Sequence, residues 1–138
     1  MYFVGDNFPI APLTLPDSNW HHVAWTVDVG GSVSSYLDGY LQSQAGFSGV
    51  INPANNPFTM GSNFRGGVNA IFDEVRISKK IRYTSTFIPR TSLGTDVNTV
   101  AYYTFNTIAT TLADDSGNGN TGVIALAQTP DPWVEGVS

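Results

Sequence analysis

The chain has 138 residues, of which 41% are hydrophobic and 12% are charged, a composition that supports a folded core and excludes a disordered segment. Its net charge of −5 argues against nucleic acid as a partner, because phosphate binding requires a basic surface. The absence of cysteine excludes disulfides and thiolate metal sites.

Apolar residues alternate or cluster in short runs, and no stretch has helical periodicity, so an all-β fold is predicted. The predicted strands cover residues 20–28, 33–37, 40–44, 58–61, 70–78, 100–106 and 121–126, with a strand fragment at 1–4. Asp38 followed by Gly39 predicts a type I′ hairpin turn. Residues 66–67 predict a further turn, and residues 79–87 are ambiguous, with room for one helical turn.

The strand predicted at residues 70–78 has a clear alternation of side chains. One face is predicted to point into the core and carries Ile71, Asp73, Val75 and Ile77. The opposite face carries Phe72, Glu74 and Arg76. A lone carboxylate on the core face requires a partner, so Asp73 is a candidate ligand or loop anchor.

Catalytic groups are sparse in this sequence. The chain has two glutamates, Glu74 and Glu135, and the adjacent Asp73 and Glu74 point to opposite faces of a strand, which is unlike the paired carboxylates of a glycosidase. His21 and His22 are also neighbours on one strand, so they do not form a shared metal site or a catalytic pair. One of the two is expected to pack at the core edge and the other to be solvated. The sequence therefore predicts a protein that is not an enzyme.

Three segments carry a family pattern: residues 20–28 are WHHVAWTVD, residues 36–39 are YLDG and residues 71–78 are IFDEVRIS. In order and spacing they resemble the laminin G-like domains of the concanavalin A-like lectin/glucanase superfamily. The residues RYT and FIP that follow, at positions 82–84 and 87–89, resemble the family's exit segment. The resemblance is clearest over residues 19–90.

This resemblance implies an all-β, antiparallel β-sandwich of the jelly-roll, concanavalin A-like kind, formed as a single domain over residues 1–138. The C-terminal part departs from a simple copy, because residues 99–126 resemble the family's initial strand and loop but come last here. The chain is a fragment of two repeats, a permuted domain whose terminal strand folds back beside residues 70–78, or a sandwich completed by a partner chain. An incomplete sandwich leaves an unpaired edge that a homo-oligomer would cover.

Calcium is the one cofactor expected, in a structural role. Hard cations take several oxygen ligands from a loop, and Asp114, Asp115, Asn118 and Asn120 supply them within seven residues. The resemblance implies a calcium between the initial segment and the strand at 71–78, where Asp73 would join. The alternative is a loop held by Asx-turn hydrogen bonds without an ion.

Sugar binding is the second expectation from the resemblance, because flat aromatic rings pack on pyranose faces while nearby polar groups hydrogen-bond the hydroxyls. The candidates lie on predicted loops and are Phe47, Asn55, Asn56, Asn63, Phe64 and Arg65. For each ring, ordinary core or interface packing is the alternative.

The sequence favours a non-catalytic binding or adhesion module, for glycans, within a larger extracellular or virion protein. The alternative is a structural assembly module, such as a phage tail or fibre piece or a filament subunit, that acts by strand exchange between copies. No apolar run approaches the roughly 18 residues that span a bilayer, so membrane insertion is not expected, and no signal-peptide pattern is recognised.

Overall fold

The computed structural model describes residues 13–48, 58–60, 62–63, 66–67, 70–107 and 109–124, with the backbone alone at 62–63 and 66–67. The chain divides into two compact units: the first is Met1–Asn69 with Ile81–Pro89, and the second is Ala70–Lys80 with Arg90–Ser138. Throughout the described ranges the regular structure is β-strand, and every strand pair is antiparallel. Nothing in these ranges forms a helix with the length and apolarity that crossing a membrane requires.

The first unit is built on a three-stranded sheet with the order β1-β2-β3. Its strands are β1 (Val23–Val27), β2 (Ser32–Leu37) and β3 (Tyr40–Gly46). The turn between β2 and β3 has φ values of 49° at Asp38 and 84° at Gly39. Positive φ at both central positions is the type I′ turn predicted from the sequence. The strand positions predicted for 20–28, 33–37 and 40–44 are confirmed to within a few residues.

The core of the first unit forms around its central strand. Val33, Tyr36 and Leu37 of β2 are buried, and so are the intervening serines, because β2 has a neighbour on each side. Phe47, just past β3, is 4% exposed and clusters with Val33.

Residues Ile81–Pro89 return to this unit and pack on the β2–β3 turn. The Phe87 N–H donates to the Gly39 carbonyl at 3.0 Å. The rings of Tyr83 and Phe87 stack with centroids 3.6 Å apart. Tyr36 lies tilted against both rings, and His22 meets both edge-on. Aromatic contacts of this kind add about 0.5–1.5 kcal/mol per pair beyond burial. The segment contains no helical turn, which corrects that option for residues 79–87.

A short ladder of β4 (Ser62–Asn63) and β5 (Gly66–Gly67) completes the described strands of this unit. The turn predicted at 66–67 is therefore wrong, because those glycines are paired with β4. The strand predicted at 58–61 is also wrong for residues 58–60, which have no regular pairing.

The second unit contains two antiparallel pairs, β6 with β7 and β8 with β9. Its strands are β6 (Val75–Ser78), β7 (Thr99–Tyr103), β8 (Thr111–Leu112) and β9 (Gly122–Val123). The register places Val75 opposite Tyr103 and Ile77 opposite Ala101. This is the strand pairing that the fold-back alternative requires. Among the described residues of this unit, the buried hydrophobic ones are Ala101, Tyr102, Tyr103 and Leu112.

The strand predicted at residues 70–78 is shorter than expected, because residues 70–74 are irregular. Glu74 has a φ of 42°, a left-handed conformation that ends the strand alternation at this point. As a result Ile71 is 58% exposed, so the prediction that it faces the core is wrong. Residues 1–4 and 125–126, assigned to predicted strands, lie outside the described residues.

Candidate functional site

Of the six predicted sugar-binding residues, the structure describes the side chain of Phe47 alone. Phe47 lies inside the core of the first unit, so its ring is not an exposed platform, which corrects its assignment to a binding loop. The reason is that the Phe47 N–H donates to the Gly31 carbonyl and so continues the β2–β3 pairing. Asn63 belongs to β4, where the backbone alone is described. Asn55, Asn56, Phe64 and Arg65 lie outside the described residues.

The polar loop at residues 114–120 is organised by the Asp114 carboxylate. Its Oδ1 accepts the backbone N–H groups of Tyr102 and Ser116, both at 3.0 Å, and its Oδ2 accepts the N–H of Asn120 at 2.9 Å. Partial burial opposes ionisation, but the hydrogen bonds from Ser116, Tyr102 and Asn120 outweigh it and lower the pKa of Asp114 to about 2. Asp114 therefore fastens the loop to β7 as an anion.

Two asparagine amides hold the same loop against β7. The Asn118 Nδ2 donates to the carbonyls of Thr99 and Val100, at 2.9 and 3.2 Å. The Asn120 Nδ2 donates to the Val100 carbonyl at 2.9 Å, and the Asn120 carbonyl accepts the Tyr103 hydroxyl at 2.6 Å. These contacts use the side chains as structural links between loop and strand.

The contacts bear directly on the calcium prediction. Three N–H donors already occupy the Asp114 carboxylate, and Asp115 Oδ2 accepts the Thr104 hydroxyl at 2.7 Å. Asp73, the fifth predicted ligand, accepts the neighbouring N–H of Glu74 at 2.9 Å. In the described part of the chain no three His, Cys, Asp or Glu side chains group together as metal ligands. These contacts match the alternative of a hydrogen-bonded Asx loop, and a calcium ion bound here would compete with them for the Asp114 and Asp115 oxygens.

Glu74 has a structural role that its sequence context did not indicate. Its Oε2 accepts the N–H of Leu93 at 2.7 Å, and its Oε1 accepts the Tyr102 hydroxyl at 2.8 Å. Arg76 donates to the carbonyls of Leu93 and Gly94. Burial and the nearby Glu74 carboxylate raise the pKa of Tyr102. Together the two charged side chains fix the connection between β6 and β7.

His21 in the first unit is held between two carboxylates. Its Nδ1 lies 2.8 Å from Asp38 Oδ2, and its Nε2 lies 3.0 Å from Asp17 Oδ1. These hydrogen bonds, first to Asp38 and then to Asp17, raise the pKa of His21, and the bond from His21 lowers the pKa of Asp38. The pKa of Asp17 is lowered first by the hydrogen bond from the Asn19 N–H and then by the one from His21. The His21 side chain is only 10% exposed, so the expectation of one solvated histidine is wrong. His22 packs at the core edge as expected.

The register between β1 and β2 explains how the His21 cluster forms. Val23 pairs with Leu37, so extending the β1–β2 register by one residue places His22 opposite Asp38. The His22 N–H indeed donates to Asp38 Oδ1 at 2.9 Å, and the Asp38 N–H donates to the His22 carbonyl at 2.8 Å. Both histidine nitrogens of His21 serve the fold, so the cluster does not present a free catalytic base.

A pocket of about 220 Å³ lies in the second unit between β7 and the start of the polar loop. The described residues that line it are Thr104, Phe105, Asn106, Thr107, Ala109, Thr111, Leu112, Ala113 and Asp115. Phe105 has a φ of 58°, which is uncommon for a bulky residue. Sequence analysis did not single out this pocket, because among its lining residues only Asp115 was a candidate ligand.

Every described strand pair is antiparallel, which is compatible with a β-sandwich. A family profile described as concanavalin A-like lectin/glucanases superfamily, in its laminin G group, matches residues 5–85, which is more than half of the 138 residues. The chain belongs to this family, and the predicted fold class is confirmed. No curated protein and no solved structure matches the chain significantly.

Proposed function

We propose that the chain is a non-catalytic glycan-binding or adhesion module of a larger extracellular or virion protein. The family match over residues 5–85 carries this proposal, because laminin G-like domains are typically binding modules. A β-sandwich of this kind supplies a rigid scaffold, and its loops provide the surface that sets ligand specificity.

Glu74, Asp114 and His21 are already hydrogen-bonded within the fold, which supports a function without catalysis. Glu74 accepts hydrogen bonds from Leu93 and Tyr102, and the Asp114 carboxylate accepts three backbone N–H groups. His21 is held by a carboxylate at each ring nitrogen. A glycosidase instead requires two carboxyl groups facing one another across a cleft.

A glycan array tests the proposal. The full chain, fluorescently labelled, is applied to immobilised polysaccharides and oligosaccharides of varied composition, and saturable binding to a related group of structures is the expected result. Incubation of the bound glycans with the chain should release no reducing ends. Absence of binding across the array would overturn the lectin function, and release of reducing ends would overturn its non-catalytic character.

Assembly by strand exchange is a second candidate, and the pairing within the second unit favours it. Its described strands pair two by two, as β6–β7 and β8–β9, and two-stranded sheets are marginally stable alone. A strand from another copy would extend such a sheet. Sedimentation velocity over a wide concentration range separates the two functions, because an assembly module forms discrete oligomers whereas a monomer at high concentration contradicts assembly.

A further inference from the structure

We propose that the pocket between β7 and the polar loop is a subsite for one neutral sugar ring, an inference that rests on the proposed glycan-binding function. Its volume of about 220 Å³ is smaller than the roughly 300–1,000 Å³ of pockets that take drug-sized ligands. The space therefore suits a single ring, as a free sugar or as one residue of a longer glycan.

The lining combines one aromatic ring with several short polar side chains. Phe105 and Leu112 contribute apolar surface, and Leu112 is 7% exposed. Thr104, Asn106 and Asp115 contribute hydroxyl, amide and carboxylate groups. A pyranose presents the same combination, with C–H groups on its face and hydroxyls at its edge, so the two surfaces are chemically complementary.

Two of the polar lining residues, Thr104 and Asp115, are held in place by hydrogen bonds within the fold. The Thr104 hydroxyl donates to Asp115 Oδ2 at 2.7 Å, and the Asp115 N–H donates to the Tyr102 carbonyl at 2.8 Å. Asp115 is thus attached to β7 through its backbone and to Thr104 through its side chain, while it stays exposed to solvent. Preorganised groups lose less entropy on binding, which raises affinity for a small ligand.

Phe105 is held in a conformation that its side chain does not favour. A φ of 58° is unfavourable for a non-glycine residue and must be compensated by its surroundings. Such residues cluster at ligand sites. Phe105 lies in the pocket wall beside Asn106.

The charge of the pocket defines the class of sugar. Among the described lining residues, Asp115 is the only charged one. Its carboxylate accepts hydrogen bonds from sugar hydroxyls and repels an anionic ligand. Neutral pyranoses are therefore accepted, whereas uronic acids are disfavoured.

The test uses the ¹⁵N-labelled full chain titrated with methyl pyranosides of glucose, galactose and mannose, each compared with its uronic acid, in amide shift-mapping NMR. At least one neutral sugar should shift the amides of residues 104–107 and 109–115. Its uronic acid should bind about tenfold more weakly, which corresponds to ~1.4 kcal/mol.

Asp115→Asn should weaken binding of the neutral sugar about tenfold and reduce the discrimination against the uronic acid. Asp28→Asn is the matched control, since it removes the same charge at an exposed position of the first unit. The amide spectrum of each variant establishes that it is folded. A spectrum of folded Asp115→Asn with unchanged sugar affinity would overturn the subsite.

The experiments distinguish failure of the pocket proposal from failure of the glycan-binding proposal. A sugar that binds on the array and shifts amides away from residues 104–115 refutes the pocket and leaves glycan binding intact. Absence of binding both on the array and in the titrations refutes the two together.

Discussion

Gly39 connects the β2–β3 turn to a segment more than forty positions later in the sequence. Its carbonyl accepts the N–H of Phe87, and a side chain added at this position would overlap the Phe87 carbonyl oxygen. Its φ of 84° also favours glycine. The residue therefore satisfies both a local turn and a long-range contact.

Gly39→Ala is expected to destabilise the chain by more than the ~1–2 kcal/mol that left-handed backbone costs an L-residue. The additional loss comes from the overlap with Phe87, which displaces residues Ile81–Pro89 from the turn. Urea unfolding followed by tryptophan fluorescence measures the difference in unfolding free energy.

Gly30→Ala is the matched control, because Gly30 has the same φ of 84° and no atom within 4 Å of an added Cβ. It carries the backbone cost without the overlap. If the two variants lost equal stability, the close approach of Phe87 to Gly39 would have no energetic importance.

Asp114 is expected to contribute stability that is lost in acid. Its pKa of about 2 in the folded state lies below the ordinary 3.8, so the contribution is present above about pH 4 and disappears as the pH falls through about 2. The shift corresponds to about 2 kcal/mol, which solvent screening reduces to about 1 kcal/mol for a partly exposed group.

Asp114→Asn should lower the unfolding free energy at pH 7 by about 1 kcal/mol, because the amide retains an acceptor oxygen but its nitrogen cannot accept from a backbone N–H. Denaturant unfolding between pH 2 and 7 is the measurement. Asp28→Asn is the control for the loss of one negative charge. If the unfolding free energy of Asp114→Asn depended on pH in the same way as that of the unmodified chain, this role of Asp114 would be contradicted.

At the scale of elements, the His21 cluster joins the segment before β1 to the β2–β3 turn. Asp17 and Asp38 belong to these two elements, and the ring of His21 hydrogen-bonds both. The raised pKa of His21 gives stability that is complete below about pH 6.5 and is lost as pH rises through the folded value. The lowered pKa of each carboxyl gives stability that is present above about pH 4 and is lost in acid.

His21→Gln is therefore expected to reduce the thermal midpoint most between about pH 4 and 6.5, with a smaller difference on either side of this range. Differential scanning fluorimetry across pH 3–9 compares the variant with the unmodified chain. A difference that stays constant over the whole range would show that the ring acts through packing alone.

The elements differ in how far their own sequences define them. Alternation and the Asp38–Gly39 pair specify the hairpin of β2 and β3, because the turn type and the strand period are local properties. The strand at 70–78 was predicted too long, since the left-handed Glu74 follows from its contacts with Leu93 and Tyr102. Those partners are distant in sequence, so alternation alone gives no information about them.

At the scale of the whole molecule, the calcium prediction has a direct test. We expect EDTA to leave the thermal midpoint unchanged, because backbone donors occupy the Asp114 carboxylate and hold the loop without an ion. A ligand bound only by the native state at 100 times its Kd adds about 2.7 kcal/mol. Such a contribution shifts the midpoint by several degrees, so a decrease of that size with EDTA, reversed by added calcium, would establish a calcium site.

The amino-acid sequence alone specifies the all-β class, the family and the β2–β3 hairpin, because strand period, turn type and family motifs depend on neighbouring residues. It also brought Asp114, Asn118 and Asn120 into one loop. The tertiary structure decided which groups those side chains bind, that Phe47 is buried, and that His21 lies between Asp17 and Asp38. It alone assembled the Phe105 pocket. The physical reason is that burial and hydrogen-bond partners depend on contacts between segments distant in the chain, which local pattern does not specify.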